Sequence, residues 1–150
     1  MREKVVSSIG DLTRADYQCL GEFRRRIRRF LHFSEEVARA EGLEPQQHQL
    51  MLAVRSLDGG EGPTVGELAE HLLLRHHSAV GLIDRLAERG FVERARGADD
   101  RRQVRIQLTP KGEQKLKRLS EAHRAELRES GPELVEALRG LLGQLGVGER

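Results

Sequence analysis

The sequence predicts a mainly α fold of the α+β winged-helix type: a winged helix-turn-helix lobe flanked by N- and C-terminal dimerisation helices. Three observations predict it. Residues 65–72 and 76–89 carry two short amphipathic helical patterns separated by the turn Leu73-Leu74-Arg75. A β-hairpin pattern follows, whose loop Ala95-Arg96-Gly97-Ala98-Asp99-Asp100-Arg101-Arg102-Gln103 is dense in arginine and leads into a new helix at Thr109-Pro110-Lys111-Gly112. Helical patterns at both ends carry more apolar stripe than such a lobe can cover. A helix sized for the major groove beside a basic loop sized for the minor groove implies double-stranded DNA as the ligand.

The elements follow in order. From about Leu12 to Ala40, Leu20, Phe23, Ile27, Phe30, Leu31, Ser34, Val37 and Ala38 recur at the three-and-four spacing of one buried helix face. Thr13 stands as N-cap with Asp16 three residues on, and Gly42 stands at the C-cap. A second helix starts at Glu44-Pro45 with Leu50, Met51, Ala53, Val54 and Leu57 apolar, and Asp58-Gly59-Gly60-Glu61-Gly62-Pro63 ends it. Thr64-Val65 reads as a very short strand or a capped helix entry, and Gly90 as the C-cap of the second motif helix. Phe91–Arg94 and Val104–Leu108 alternate with period two, as strands do. Past Thr109 one helix reaches Gly131-Pro132, which breaks it; a last helix carries Leu134 to Leu145 and frays at Gly146-Val147-Gly148. The chain is thus one domain over residues 1–150, with the lobe at 45–112 and dimerisation helices at 11–44 and 113–146. Intramolecular packing of the terminal helices is the plainer alternative to an intersubunit interface, but a two-fold dimer also suits palindromic DNA sites.

Composition narrows the function. Four Phe, one Tyr and no Trp leave little for a base-stacking surface of the kind single-strand binders use. The net charge is only +2, yet residues 75–105 hold eight arginines against five acids, a local basic surface on a near-neutral chain. Cys19 is the single cysteine, so no disulfide or thiolate metal cage forms within one chain. Met1-Arg2-Glu3-Lys4-Val5-Val6 lacks the apolar run of a signal peptide, and no segment approaches the roughly 18 apolar residues of a membrane span. A cytoplasmic protein without a membrane or a metal, and needing no cofactor, is the expectation.

Recognition falls to two sets of residues. In the second motif helix, Val80, Ile83, Leu86 and Ala87 are expected to face the core, leaving His77, Ser78, Gly81 and Arg85 outward, with Arg75 and His76 at the N-terminal edge. Arg85 can fork onto a guanine edge or sit on phosphate, and Ser78 can bond either base or phosphate. Gly81 in mid-helix costs about 1 kcal/mol against alanine, which close approach of DNA or tight helix packing would justify. His76 and His77, adjacent on a helix, splay about 100° apart and so make a poor metal pair. In the wing, Arg101 and Arg102 lie at the tip with Arg96 and Arg94 behind them, charges that a narrow A/T-rich minor groove draws in. Asp100 is expected to brace an arginine and fix the loop's shape. A solvated hairpin tip is the bland alternative.

Three stretches carry a resemblance: Gly66-Glu67-Leu68-Ala69-Glu70-His71-Leu72, the run from Ile83 to Arg94, and Asp100-Arg101-Arg102 with Leu108-Thr109-Pro110-Lys111-Gly112. Together they resemble the MarR family of bacterial regulators, whose wing signature is met by Asp100, Arg102, Leu108, Thr109 and Gly112. The likeness runs from about Pro45 to Leu119. It implies a homodimer joined by the terminal helices, one recognition helix in each of two successive major grooves, and Arg102 of each wing at a minor groove. It further implies repression of transcription from a palindromic operator, released by a small ligand or an oxidant. Arg75-His76-His77 stand where the family often has Ser, Asp or Thr, so half-site preference does not carry over.

Two sensing modes stay open. Cys19 resembles in location the peroxide-sensing cysteine of one branch of the family, although a lone helical cysteine also serves as a packed hydrophobe. The other mode is a ligand cleft in which Phe30, Phe33, Val37, His48 and Met51 give apolar wall and Arg26 or Arg29 anchors an anion; these residues equally suit a core and a solvated basic face. A small aromatic or anionic effector is what the resemblance implies. The chain shows no phosphate-cradling glycine loop, no nucleophile elbow and no His-Glu-x-x-His spacing, so a non-enzyme is expected. A winged-helix assembly module without regulated DNA binding is the remaining alternative.

Overall fold

The computed structural model describes residues 10–147. The N-terminal hexapeptide read above, and Gly148, lie outside the described residues. The elements are α1 (Arg14–Ala40), α2 (Pro45–Ser56), α3 (Val65–His71), α4 (His76–Glu88), β1 (Val92–Arg96), β2 (Val104–Leu108) and α5 (Pro110–Gln144). Strands β1 and β2 pair antiparallel in the register Val92–Leu108 to Arg96–Val104. The chain divides into two compact units, one of residues 34–124 and one holding the described residues of 1–33 and 125–150.

Local signals account for most of the boundaries. Thr13 and Asp16 cap α1 reciprocally: the Asp16 amide donates to the Thr13 hydroxyl at 3.3 Å, and the Thr13 amide donates to the Asp16 carboxylate at 2.7 Å. The Thr13 amide, and next the Thr13 hydroxyl donating to the same carboxylate at 2.8 Å, hold the Asp16 carboxyl below the usual range. At the far end of α1 the Leu43 amide donates to the Ala38 carbonyl at 2.9 Å around Gly42. Glu44 caps α2 in a box with Gln47, and Thr64 caps α3 in a box with Glu67. Thr64 also bridges to Arg105 of β2, so both readings of Thr64-Val65 hold at once.

The core of the 34–124 unit joins α2, α3, α4, the hairpin and the start of α5. Leu50, Met51, Leu68, Ile83, Leu86, Ile106 and Leu119 are fully buried in it. Thr109 docks α5 onto this core. Its hydroxyl donates to the Gly90 carbonyl at 2.5 Å and accepts from the Gly112 amide at 3.0 Å. A Cβ at Gly112 would sit 2.0 Å from the Phe91 carbonyl oxygen, which explains physically why a glycine follows the Thr109 cap. Burial and hydrogen bonding both argue that this junction is rigid.

Three expectations are corrected. Gly131-Pro132 does not break the C-terminal helix: α5 continues through Pro132 to Gln144. Proline removes a single amide donor, and a helix with apolar residues on both flanks tolerates that at a cost of about 3 kcal/mol. The end of α5 is capped rather than frayed, for the Val147 amide donates to the Leu142 carbonyl at 3.0 Å. The buried face of α4 is Ala79, Leu82, Ile83 and Leu86, while Val80 and Ala87 are half-buried. Helix α4 touches α2, α3 and β1, so its buried arc is broader than a single stripe.

The α1 stripe also differs. Only Ser34 and Ala38 are buried; Phe23, Ile27 and Phe30 are half-buried, and Leu20 and Leu31 are 43% and 50% exposed. On α5, Leu127, Val135 and Leu138 are exposed as well. No described helix is long and apolar enough to cross a membrane.

Candidate nucleic-acid interface

The residues expected to read DNA run from the N-cap to the last turn of α4. Arg75 is its N-cap residue and offers no side-chain cap, so its guanidinium is free of the helix end. Arg75, His76, His77 and Arg85 are exposed, with Ser78 and Gly81 half-buried among them. A Cβ placed on Gly81 would meet just one group, the Arg85 guanidinium at 3.5 Å, an ordinary contact. Packing within this chain therefore does not demand glycine there, which removes one of the two explanations offered by the sequence. Arg85 lies back along Gly81 and flanks a shallow concavity with Glu44, Pro45, Gln46, Gln47 and Leu82.

The wing has its own internal frame. The Gly97 amide donates to the Gln103 carbonyl at 3.0 Å, and the Gln103 amide to the Asp100 carbonyl at 3.1 Å. The Asp100 carboxylate accepts from the backbone amide of Arg102 at 2.9 Å. Asp100 thus shapes the loop as expected, but through a backbone turn rather than by bracing a guanidinium. Arg96 donates to the Arg101 carbonyl at 3.4 Å. The side chains of Arg101 and Arg102 make no hydrogen bond or ion pair among the described residues, and both are exposed. Together Arg94, Arg96, Arg101, Arg102 and Val104 line an open concavity of about 410 Å³.

Electrostatics separates the arginines into two classes. Arg94 forms an ion pair with Asp84, fastening β1 to α4. Arg105 donates to the Gly62 carbonyl at 3.2 Å and to Gln103 at 2.9 Å, with Glu61 and Glu67 within 4 Å. Arg89 donates to Gln47 at 3.2 Å and lies over the Phe91 ring. These three hold the lobe together. Arg75, Arg85, Arg96, Arg101 and Arg102 present their charge to solvent. Counting charges along the sequence cannot sort them, because the partners Asp84, Glu61 and Gln47 are distant in sequence. Sequence reasoning misses Glu61 outright for the same reason, although it accepts from the wing amide of Ala98 at 2.7 Å.

Of the residues assigned to a ligand cleft, Arg26, Arg29, Phe30 and Phe33 belong to one unit, and His48 and Met51 to the other. Arg26 pairs with Glu22 and Glu133. Met51 is a core residue with no exposed surface. His48 is 3% exposed, and its ring lies 4.9 Å from that of His123. Burial, reinforced by His123, lowers the His48 pKa to about 4. The His123 Nδ1 pairs with the Leu119 carbonyl at 2.6 Å and its Nε2 with the Ser34 hydroxyl at 2.7 Å. Cys19 is half-buried, with no hydrogen bond or ion pair among the described residues. No group of three or more His, Cys, Asp or Glu among the described residues is arranged to hold a metal ion.

Comparison with known proteins places this geometry. The chain matches the MarR family over residues 41–103. It is 26% identical over 119 residues to a putative transcriptional regulatory protein for the hcr operon of Thauera aromatica, covering 79% of this chain and 70% of that protein. CouR from Rhodococcus jostii RHA1, solved bound to p-coumaroyl-CoA, superposes with a TM-score of 0.69 at 22% identity, covering 92% of this chain and 99% of CouR. A mutant of S. aureus MepR bound to an oligodeoxyribonucleotide superposes with a TM-score of 0.60 at 19% identity, covering 84% of each chain. At these identities the two structures establish the shared fold. Wing signature, architecture and family match agree: the chain has the winged helix-turn-helix fold and, over residues 41–103, matches the MarR family of transcriptional regulators.

Proposed function

We propose that this protein is a homodimeric repressor that binds a palindromic double-stranded operator and leaves it when a small molecule binds. One observation carries the reading: five exposed arginines sit on two outward features of the lobe, Arg75 and Arg85 at the two ends of α4 and Arg96, Arg101 and Arg102 on the wing. Arg75, His76, His77, Ser78, Gly81 and Arg85 address base edges and flanking phosphates in a major groove. Arg101 and Arg102 enter the adjoining minor groove, with Arg96 behind them and Asp100 shaping the loop. Arg94 acts by holding β1 to α4 rather than by touching DNA.

The two-fold arrangement is supported by the exposed apolar residues of the terminal helices, Leu20 and Leu31 on α1 and Leu127, Val135 and Leu138 on α5. Apolar side chains exposed at helical spacing on two long helices suit burial against a second copy of the chain. Release by a small aromatic or anionic molecule is supported by CouR, which was solved with p-coumaroyl-CoA. DNA binding is supported likewise by MepR, solved with an oligodeoxyribonucleotide.

Fluorescence anisotropy with DNA from upstream of the protein's own gene tests the proposal. Affinity for that DNA should exceed affinity for random duplex by about 10³-fold or more and fall steeply with salt. Equal, weak binding to both duplexes would instead mark an assembly module.

A further inference from the structure

We propose that Glu61 is a positioning residue for the wing: its carboxylate latches the loop 97–103 to the segment 58–64 and so fixes where Arg101 and Arg102 are presented. The inference rests on the DNA-reading role proposed above, and it begins with how rigidly Glu61 itself is held.

The segment 58–64 behaves as a strap laid along β2. The Asp58 carboxylate accepts from the amides of Gly60 and Gly62 at 2.8 and 3.0 Å, which folds the strap's start. Three successive carbonyls then face the strand. The Glu61 carbonyl accepts from the Gln107 side chain at 2.8 Å, the Gly62 carbonyl from Arg105 at 3.2 Å, and the Pro63 carbonyl from the Ile106 amide at 2.9 Å. Gly62 has a φ of +87°, and a Cβ there would lie 2.1 Å from the Ile106 carbonyl oxygen. No other residue allows the strap to run this close. The Glu61 backbone is therefore fixed before its side chain does anything.

From that base the carboxylate accepts from the Ala98 amide at 2.7 Å and lies 3.9 Å from the Arg105 guanidinium. The remaining hydrogen bonds of the loop, at Gly97, Arg102 and Gln103 and from Arg96, are internal to the hairpin. They give the loop a shape but not a position. Among the described residues, the Glu61 bond is the one that ties the loop to the lobe beyond the hairpin. A charged acceptor on a backbone amide is stronger than a neutral one. An acid close to a DNA-facing wing is otherwise unfavourable, and here its charge is taken up by the Ala98 amide and the neighbouring Arg105 guanidinium.

The test combines amide exchange by NMR with anisotropy on the operator, using Glu61→Ala, Glu61→Gln and Arg102→Ala. In Glu61→Ala the Ala98 amide should exchange at least about tenfold faster while core amides keep their protection. Operator affinity should fall roughly three- to tenfold, and the preference for A/T-rich over G/C-rich flanks should shrink. Glu61→Gln retains an acceptor oxygen and should restore most of the exchange protection and the flank preference. Unchanged Ala98 exchange in Glu61→Ala overturns the latch, as does a Gln variant that behaves like Ala. So does an unaltered flank preference in Glu61→Ala where Arg102→Ala loses affinity. Should Arg102→Ala bind like the parent, it is the DNA role of the wing that fails, and the Ala98 exchange rate still decides the latch by itself.

Discussion

Replacing Arg102 by alanine probes the wing with least collateral damage. The backbone of Arg102 is held by Asp100, and its side chain makes no hydrogen bond or ion pair among the described residues, so the substitution leaves the loop's frame in place. The fold should lose no more than about 0.5 kcal/mol, as for a surface change away from any packed feature. Binding is another matter. A charge-assisted contact at a partly hydrated groove is worth about 1 kcal/mol, and the proposed dimer loses two of them. The sum of about 2 kcal/mol corresponds to an affinity loss of roughly thirtyfold. Two fewer cations at the DNA should also flatten the slope of log affinity against log salt by about 1.8. Anisotropy titrations at three salt concentrations, beside a melting curve of the variant, measure all three quantities. Unchanged affinity from a correctly folded variant would refute the reasoning, since it would leave the exposed guanidinium with no partner on either side.

Other perturbations separate the remaining parts of the account. Arg85→Ala should reduce discrimination between operator and random duplex by about 1–3 kcal/mol, measured by competition; an equal loss on both duplexes would reassign Arg85 to phosphate. Leu31→Glu with Leu138→Glu should yield a folded monomer by analytical ultracentrifugation, and a persisting dimer would contradict the assigned helical interface. Burial lowers the His48 pKa to about 4, so between that pH and about 6.5 the unfolded chain binds the extra proton. Stability contributed by neutral His48 is therefore present above pH 6.5 and is lost as pH falls towards 4. Denaturant melts across this window should show a steeper loss in the parent than in His48→Gln; parallel curves would show that the ring titrates normally.

How much of this is legible in the sequence divides along a physical line. Features fixed by neighbours in sequence are plain there: the Thr13 and Thr64 caps, Pro45 at the start of α2, Gly42 and Gly90 at helix ends, and the hairpin. The caps and helix ends depend on groups within about four residues, and the hairpin on two strands adjacent in sequence. Features fixed by tertiary partners are not. The periodicity of α4 shows one stripe, whereas three neighbouring elements bury Ala79 and Leu82 as well. Gly131-Pro132 looks like a stop signal locally, yet α5 runs through it.

The candidate site follows the same division. Sequence identifies the basic stretch and cannot tell which arginines are already committed. Arg94, Arg89 and Arg105 look the same as Arg101 and Arg102 on a charge count, and only Asp84, Gln47 and Glu61 distinguish them. Glu61 gives no signal of its own, lying in a glycine-rich break that reads as a helix terminator. Its neighbour Gly62 carries the clue, because a glycine with positive φ pressed against a strand means that the backbone must pass close there.

Hydroxyl-radical footprinting on the DNA upstream of the gene tests the central claim most directly. The account expects protection in two successive turns on one face of the duplex, at a pseudo-palindrome, with minor-groove protection on the flanks that disappears in Arg102→Ala. Uniform protection along the fragment, or flanking protection that survives in that variant, would contradict it.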